Sequence, residues 1–167
     1  GEQIGAALGF MECAWWSPTY TIPDGRVLAL IAGKSNPGSI MVNRQGKRFA
    51  NEAQPYEDLI KAQYASDARG EGAIPCYLVF DATCRGKYAV GHLKPGKVEQ
   101  DDRLDPANFA SGLLARADTL EELADKLQIE RGALLHTVAN FNRHARNGED
   151  PEFGRGATLH DRYYADK

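Results

Sequence analysis

Residues 39–56 read Ser39-Ile-Met-Val-Asn-Arg-Gln-Gly-Lys-Arg-Phe-Ala-Asn-Glu-Ala-Gln-Pro-Tyr56. Ile40 and Val42 alternate along the first part of this stretch, and the alternation resumes after Gln45-Gly46, a pair typical of a tight turn. The pattern predicts a β-hairpin whose second strand covers residues 48–50. A polar loop then leads from the hairpin into a helix.

Three polar side chains follow the predicted hairpin within six residues: the amide of Asn51, the carboxylate of Glu52 and the phenol of Tyr56. Because a hairpin is a stiff support, it would deliver these three groups to one place. We therefore expect the chemistry of the chain to lie at the exit of the hairpin.

The next elements are a predicted helix at residues 55–68 and a strand at residues 76–80. Pro55 suits the first turn of the helix, where a missing N–H costs little. The buried side of this helix is predicted to carry Leu59, Ile60, Gln63 and Tyr64. The continuous apolar run of the strand favours burial on both faces. Residues 91–110 are rich in Pro, Gly and Asp and predict a long surface excursion.

Two further helices are predicted near the end of the chain. The first begins at Thr119, which forms a Thr-x-x-Glu capping box with Glu122. The second spans about 131–146 and ends at Gly148. Its apolar stripe consists of Leu134, Leu135, Val138, Phe141 and Ala145. A hairpin, one buried strand and segregated helices predict an α+β fold with a small mixed or antiparallel sheet.

The beginning of the chain gives weaker signals. Residues 1–12 resemble the end of a helix, and an irregular aromatic segment follows, with a turn at Asp24-Gly25.

The composition is ordinary for a globular domain: 43% of the 167 residues are hydrophobic and 26% are charged. The formal net charge of −3 and the scattered basic residues argue against a nucleic-acid partner. The three cysteines form no C-x-x-C pair and suit free thiols in a reducing cytoplasm. No apolar run is long enough to predict a transmembrane segment.

At residues 42–52 the sequence resembles the flavin-dependent fumarate reductase and 3-ketosteroid dehydrogenase superfamily, whose substrate-binding domain carries V-N-x-x-G-x-R-F-x-N-E. The continuation to Pro55-Tyr56 is similar to the ketosteroid dehydrogenase branch. Further similar segments occur in the family's order, so the resemblance runs along nearly the whole chain. They are residues 14–18 (Ala-Trp-Trp-Ser-Pro), 77–81, 150–156 and the pair Tyr163-Tyr164.

The resemblance implies FAD as the cofactor and a capping-domain fold. The G-x-G-x-x-G motif that holds the FAD pyrophosphate is missing, and Gly154-Arg155-Gly156 is the nearest approach. We therefore expect residues 1–167 to be one substrate-binding domain of a larger enzyme, inactive alone, with an FAD-binding domain as its partner. Tyr163 and Tyr164 would then lie at the interdomain hinge, and no residue of this chain is assigned to cofactor binding.

The resemblance also implies that Tyr56 is the catalytic base. A dehydrogenase that acts next to a ketone must remove an alpha proton while a hydride leaves the neighbouring carbon for the flavin, and a tyrosine can accept that proton. The structural alternative is a tyrosine that packs the first turn of the helix with its hydroxyl in water.

Asn51, Glu52, Trp15 and Trp16 are the candidate substrate-binding residues. Asn51 and Glu52 would orient the loop or relay a proton. Alternatively, Asn51 caps the turn and Glu52 pairs with Arg48 or Arg44. Of the adjacent tryptophans, one is expected to line an apolar substrate cavity and the other to pack in the core.

Two other functions remain open. A fumarate-reductase-like enzyme would need an arginine shortly after Asn51-Glu52, and residues 53–58 contain none, which favours a neutral ketone such as a steroid. A non-catalytic binding module of the same fold is the second alternative. A metal site is not expected, because His136 and His144 would stand roughly 12 Å apart along one helix.

Overall fold

The computed structural model describes residues 2–11, 13–31, 33–163 and 165. Four short strands are present: β1 (Thr19–Thr21), β2 (Val27–Ala29), β3 (Ser39–Val42) and β4 (Tyr77–Phe80). The α-helices are α1 (Tyr56–Ala68), α2 (Ala82–Lys87), α3 (Ala107–Ala110), α4 (Leu120–Leu127), α5 (Arg131–Ala145) and α6 (Leu159–Tyr163). Short 3₁₀ turns occupy Glu2–Ile4, Gly33–Ser35 and Asp101–Arg103. The predicted α+β class is confirmed.

The central sheet joins β3 to β4 in antiparallel fashion, with Ile40 opposite Val79 and Val42 opposite Tyr77. Because side chains alternate across a strand, the two faces of the sheet contribute to two separate hydrophobic clusters. On one face Ile40, Val42 and Val79 pack against α4 and α5. On the other face Met41 packs with residues of the loop and α1. The strands of this sheet therefore hold α1 on one side and the α4–α5 pair on the other.

The predicted second strand of the hairpin is wrong, although the turn is confirmed. The N–H of Gly46 donates to the Asn43 carbonyl oxygen at 3.0 Å, which closes the turn. Beyond it only Val42 and Arg48 form a bridge. The reason is local, because the backbone N–H of Met41, which faces that edge, donates to Glu52 Oε1 at 3.1 Å. A carboxylate thus occupies the position of the next strand residue.

Burial of β4 on both faces is also wrong. Val79 is buried, whereas Tyr77, Leu78 and Phe80 are half-buried because they line an open cavity. Helix α1 is confirmed, with Leu59 and Ile60 buried and Gln63 half-buried, but Tyr64 is exposed.

Helices α4 and α5 confirm the predicted pair. Thr119 Oγ1 accepts from the N–H of Glu122, while Glu122 Oε2 accepts from the N–H of Asp118, one residue earlier than a reciprocal capping box requires. In α5 Leu134 is buried, and the other predicted stripe residues are half-buried except for the exposed Ala145. Thr137, which the stripe did not include, is buried.

The first part of the chain differs most from expectation. Residues 2–4 form one 3₁₀ turn instead of the end of a helix, and residue 12 lies outside the described residues. The irregular segment contains the antiparallel pair β1–β2, with Tyr20 opposite Leu28. At the other end Tyr163 is exposed, and Tyr164 lies outside the described residues.

Hydrogen bonds from one arginine fix the surface excursion at residues 91–110. Arg85 donates to Asp101 Oδ1 at 2.8 Å, to the Lys94 carbonyl oxygen at 2.6 Å and to the Glu99 carbonyl oxygen at 2.7 Å. These bonds fix a segment that has little regular structure of its own.

Candidate functional site

Tyr56 is the first residue of α1, directly after Pro55, whose extended backbone brings the loop into the helix. The Tyr56 side chain is half-buried. Its hydroxyl has no hydrogen-bond partner among the described residues, and those residues contain no buried side-chain oxygen that lacks a partner. The phenol is therefore accessible from outside the domain, as a group that meets a substrate must be.

The Lys34 side chain fixes the loop before Tyr56 through hydrogen bonds. This side chain is only 2% exposed. Its ammonium donates to the carbonyl oxygens of Glu52 and Gln54, at 2.7 Å each. The hydroxyl of Ser35 donates to the same Glu52 oxygen at 3.0 Å. These bonds fix the backbone of the loop on both sides of Ala53, two to four residues before the phenol.

Burial and, after it, the neighbouring charge of Arg155 lower the pKa of Lys34, whereas Glu52 and Asp161 act to raise it; the resulting pKa is about 8. Lys34 therefore remains largely protonated at neutral pH. Sequence reasoning missed this residue, because one lysine before a Ser-Asn-Pro-Gly turn carries no recognisable pattern.

Glu52 lies at the centre of a buried ion network and is not exposed at all. Arg48 donates to both of its carboxylate oxygens at 2.8 Å, and Arg155 Nη1 donates to Oε2 at 3.2 Å. The pairing of Glu52 with Arg48, the structural alternative from the sequence, is confirmed. A role of Glu52 in substrate binding stays a prediction, and it would have to act through the loop.

Arg48 also holds Asp150, through two bonds of 2.9 Å. Burial by itself would lower the pKa of Arg48, but the bonds to Glu52 and Asp150 outweigh burial and raise it. Burial would likewise raise the pKa of Asp150, and Arg48 lowers it instead. Both groups are therefore charged over the whole physiological range.

Asn51 is buried and holds the loop at both ends of its side chain. Its Oδ1 accepts from the N–H of Ala53 at 2.9 Å, which is the predicted capping of the turn. Its Nδ2 donates to Asp161 Oδ2 at 3.0 Å. Burial tends to raise the pKa of Asp161, but the bonds from Asn51, Thr158 and backbone N–H groups lower it. A direct contact of Asn51 with substrate stays a prediction.

Arg155 connects this network to β3. Its guanidinium donates to the carbonyl oxygens of Ser39 at 2.7 Å and of Ser35 and Asn36 at 3.0 Å each. It lies between Gly154 and Gly156, both in the left-handed region, with φ of 70° and 90°. Sequence reasoning treated this triplet as part of a family-like segment at residues 150–156 and as an incomplete glycine motif, and assigned Arg155 no role. An arginine between two glycines was the available signal, because it indicates a sharp backbone turn that directs the guanidinium into the protein.

An open cavity of about 640 Å³ lies against the free edge of β4. Its wall is mainly apolar and comes from β1, β4, α1, α4 and the loop after residue 90. Lining residues include Trp16, Tyr20, Leu30, Ile60, Tyr64, Cys76, Leu78, Phe80, His92, Leu113 and Leu127. Tyr56 precedes Ile60 by one turn on the same face of α1. The phenol therefore stands at the end of the helix face that borders the cavity.

The two tryptophans separate as adjacent residues must. Trp16 lines the cavity and packs edge-on against Tyr64, with ring centroids 5.5 Å apart. Trp15 is 89% exposed, so the expectation that it packs in the core is wrong. Whether either ring touches a substrate stays a prediction.

Within the described ranges, no group of three or more His, Cys, Asp and Glu side chains could hold a metal ion. No helix in the same part of the chain has the length and apolar character needed to cross a bilayer. No disulfide bond joins Cys13, Cys76 and Cys84.

Comparison with known proteins gives concordant matches over the whole chain. The model of the FAD binding domain family matches residues 1–167. The chain is 40% identical over 169 residues to a 3-oxosteroid 1-dehydrogenase of Mycolicibacterium smegmatis, a match that covers 99% of this chain and 29% of that protein. It is 37% identical to a 4-oxocyclohexanecarboxylate 2-dehydrogenase of Sinomonas cyclohexanicum, covering 99% of this chain and 28% of that protein.

A solved structure shares the fold. It is the 3-ketosteroid delta1-dehydrogenase from Sterolibacterium denitrificans in complex with 1,4-androstadiene-3,17-dione, with a TM-score of 0.86 and 36% sequence identity. The match covers 99% of this chain and 29% of that one. The chain thus spans less than a third of the length of these relatives.

Proposed function

Because this chain belongs to the FAD binding domain family, we propose that it is the substrate-binding domain of an FAD-dependent dehydrogenase. The proposed reaction introduces a C=C bond next to the ketone of a steroid or a similar cyclic ketone. The observation that carries the proposal is the accessible phenol of Tyr56, one turn from Ile60 on the helix face beside the apolar cavity. The names of the relatives support the same class of substrate.

The described residues do not fit the pyrophosphate of FAD by themselves. A dinucleotide site uses a glycine-rich turn between a parallel strand and a helix. The strands described here form two antiparallel pairs, and Arg155 in the glycine-flanked triplet is already bound to protein oxygens. We therefore propose that FAD, the hydride acceptor, is bound mainly by an FAD-binding domain of the parent protein.

Tyr56 carries the step that belongs to this chain. Acting as the phenolate, its oxygen takes the proton from the carbon alpha to the ketone and becomes the phenol, and the electron pair of that C–H bond forms the new C=C bond as the hydride leaves the neighbouring carbon. The bonds from Lys34 and Ser35 to the loop hold the phenol in a fixed position relative to the cavity. A fixed base keeps the proton transfer short.

The partner domain would cover the apolar side chains that this chain leaves in solvent. Phe10, Met11 and Trp15 are exposed in the first segment, and Leu159 is exposed in α6. We propose a cytoplasmic location for the enzyme, because no disulfide bond joins the three cysteines of this chain, which suits a reducing compartment.

The test uses the parent enzyme with FAD bound and a Tyr56→Phe variant. Anaerobic mixing of the wild-type enzyme with a 3-ketosteroid should bleach the flavin rapidly. Tyr56→Phe should slow bleaching by about 10²–10⁴-fold, the usual contribution of a general base, and leave steroid affinity almost unchanged. Tyr88→Phe is the matched control, because Tyr88 does not line the cavity.

Other outcomes separate the alternatives. Full activity of Tyr56→Phe would remove Tyr56 from the mechanism. Absence of bleaching by any steroid, together with reoxidation of reduced flavin by fumarate, would assign the protein to the reductase alternative. A lack of both reactions would favour a non-catalytic module.

A further inference from the structure

Tyr20 and His92 form a polar pair in the mainly apolar wall of the cavity, which also contains polar side chains such as Gln63, Tyr64 and Tyr77. Their rings stack with centroids 5.8 Å apart and planes inclined by 23°. Tyr20 is half-buried, and His92 is exposed, so the pair lies where the cavity opens. The position is built for this tyrosine, because a Cβ at Gly91 would stand 2.8 Å from the Tyr20 hydroxyl.

The hydrogen bonds of the pair leave one donor unused. Burial raises the pKa of Tyr20, and the nearby backbone N–H of His92 acts to lower it. The Tyr20 hydroxyl donates no hydrogen bond within the described part of the chain, so its proton still needs an acceptor. Tyr77 differs in this respect, because its hydroxyl donates to the Leu127 carbonyl oxygen at 3.3 Å.

The same reasoning assigns the tautomer of His92. Asn108 is buried and donates its Nδ2 to the Asp105 carbonyl oxygen at 3.1 Å, which leaves Oδ1 as an acceptor. His92 Nε2 lies 3.0 Å from that Oδ1 and must therefore be the donor. In the neutral ring Nδ1 is then an acceptor, and no described residue donates to it.

We propose that Tyr20 and His92 form a subsite that binds an oxygen substituent of the apolar substrate, separate from the ketone that reacts at Tyr56. This assignment rests on the proposed function and adds to it a substrate class: ring ketones that carry a second oxygen. The Tyr20 hydroxyl donates to a carbonyl or hydroxyl oxygen. A substrate hydroxyl additionally donates to His92 Nδ1.

Two observations favour a second oxygen over the reacting ketone. Tyr20 is on β1 and Tyr56 begins α1, and no hydrogen bond or ring contact joins them among the described residues. The cavity wall, which includes Ile60 and Leu30, is mainly apolar and suits a hydrocarbon skeleton. The ligand of the similar solved structure, 1,4-androstadiene-3,17-dione, carries a second ketone of this kind.

The test compares three 3-ketosteroids that differ only at C17, which carries a ketone, a hydroxyl or no oxygen. Tyr20→Phe in the FAD-loaded parent enzyme should lower kcat/KM for the two C17-oxygenated steroids by about 3- to 10-fold, as expected for one neutral hydrogen bond. It should leave the steroid without a C17 oxygen unchanged. His92→Phe keeps the stacked ring and should lower kcat/KM selectively for the hydroxyl steroid. Tyr88→Phe, at a residue that does not line the cavity, should not alter the ratios among the three.

Equal effects of Tyr20→Phe on all three steroids, or none on any, would overturn the subsite. If the wild-type enzyme reduces its flavin with none of them, the proposed function fails and the subsite is judged by equilibrium binding of the same steroids. A preference for C17 oxygen that Tyr20→Phe abolishes would then support the subsite. Equal or undetectable binding would reject it.

Discussion

Lys34 shows how a buried charge can be retained beneath a loop. Its ammonium has three oxygen partners: the carbonyl oxygens of Glu52 and Gln54 and the hydroxyl of Ser35. Removing the charge would save the cost of burying it, whereas removing the side chain would leave the Gln54 carbonyl oxygen unbound and the Glu52 carbonyl oxygen with the Ser35 hydroxyl alone. Its protonation should therefore be visible in the pH dependence of stability.

We expect the free energy of unfolding to rise with pH between about 8 and 10.5 because of Lys34. The folded-state pKa lies below the unfolded-state pKa, so in this window the unfolded chain binds more protons and a rise in pH favours the folded state, by at most about 1.4 kcal/mol per pH unit. Lys34→Arg, which stays charged, should lose this contribution. The measurement is urea denaturation of both proteins from pH 7 to 10.5.

At each pH, the free energy of unfolding of Lys34→Arg is subtracted from that of the wild type. This difference cancels the contributions of the other titrating groups, including Asp161 and the charged partners Glu52 and Arg155. If this difference in the free energy of unfolding stays constant across the pH range, folding does not shift the pKa of Lys34.

Among the elements, the turn at residues 43–46 does more than reverse the chain. Gly46 has a φ of +71°, and a Cβ there would stand 2.8 Å from the Leu134 nitrogen and 3.2 Å from the Glu130 carbonyl oxygen. The turn thus packs directly on the first turn of α5. It positions the α4–α5 pair against the sheet that supports the loop before Tyr56.

Gly46→Ala should therefore destabilise the protein by about 3 kcal/mol, since left-handed backbone costs roughly 1–2 kcal/mol without glycine and the steric overlap adds a similar amount. Gly70→Ala is the control, with a φ of +76° and no atom within 4 Å of the added Cβ, and should cost only the backbone part. Thermal unfolding of both variants tests this. Equal losses of stability in the Gly46→Ala and Gly70→Ala variants would mean that the turn does not contact α5 tightly.

The elements also show what local sequence could and could not predict. Helix α1 and the α4–α5 pair were predictable, because helix caps and the helical spacing of apolar residues depend only on residues close together in the sequence. The pairing of β3 with β4 was not, since nothing local selects a partner 35 to 41 residues along the chain, with Val42 opposite Tyr77 and Ser39 opposite Phe80. The loop residues of the site were found through Asn51, Glu52 and Tyr56, whereas Lys34 and Asp161 reach the loop only through tertiary contacts.

At the scale of the whole molecule, the exposed apolar side chains are concentrated near the two ends of the described chain. Ile4, Phe10, Met11 and Trp15 belong to the first segment, and Leu159 belongs to α6. Scattered apolar residues are normal on a surface, but a concentration of this kind marks an interaction surface.

Replacing Phe10 and Trp15 together by serine should reduce self-association and binding of an apolar dye by the 167-residue chain. The unfolding midpoint should change little, because the two side chains are 82% and 89% exposed. Sedimentation velocity and dye fluorescence provide the measurement. Val98→Ser, in the excursion at residues 91–110 and 68% exposed, is the control. Unchanged association of the double variant would exclude this segment as the contact surface.

The ion network beneath the site has a consequence for the order in which the chain acquires its structure. Arg48 meets Asp150 across 102 positions, Arg155 meets Glu52 across 103, and Asn51 meets Asp161 across 110. Contacts that close such long loops form late, because their entropic cost must be met by structure that already exists. During synthesis the loop that presents Tyr56 would leave the ribosome long before its anchoring partners do. The site would therefore be among the last parts of this domain to mature.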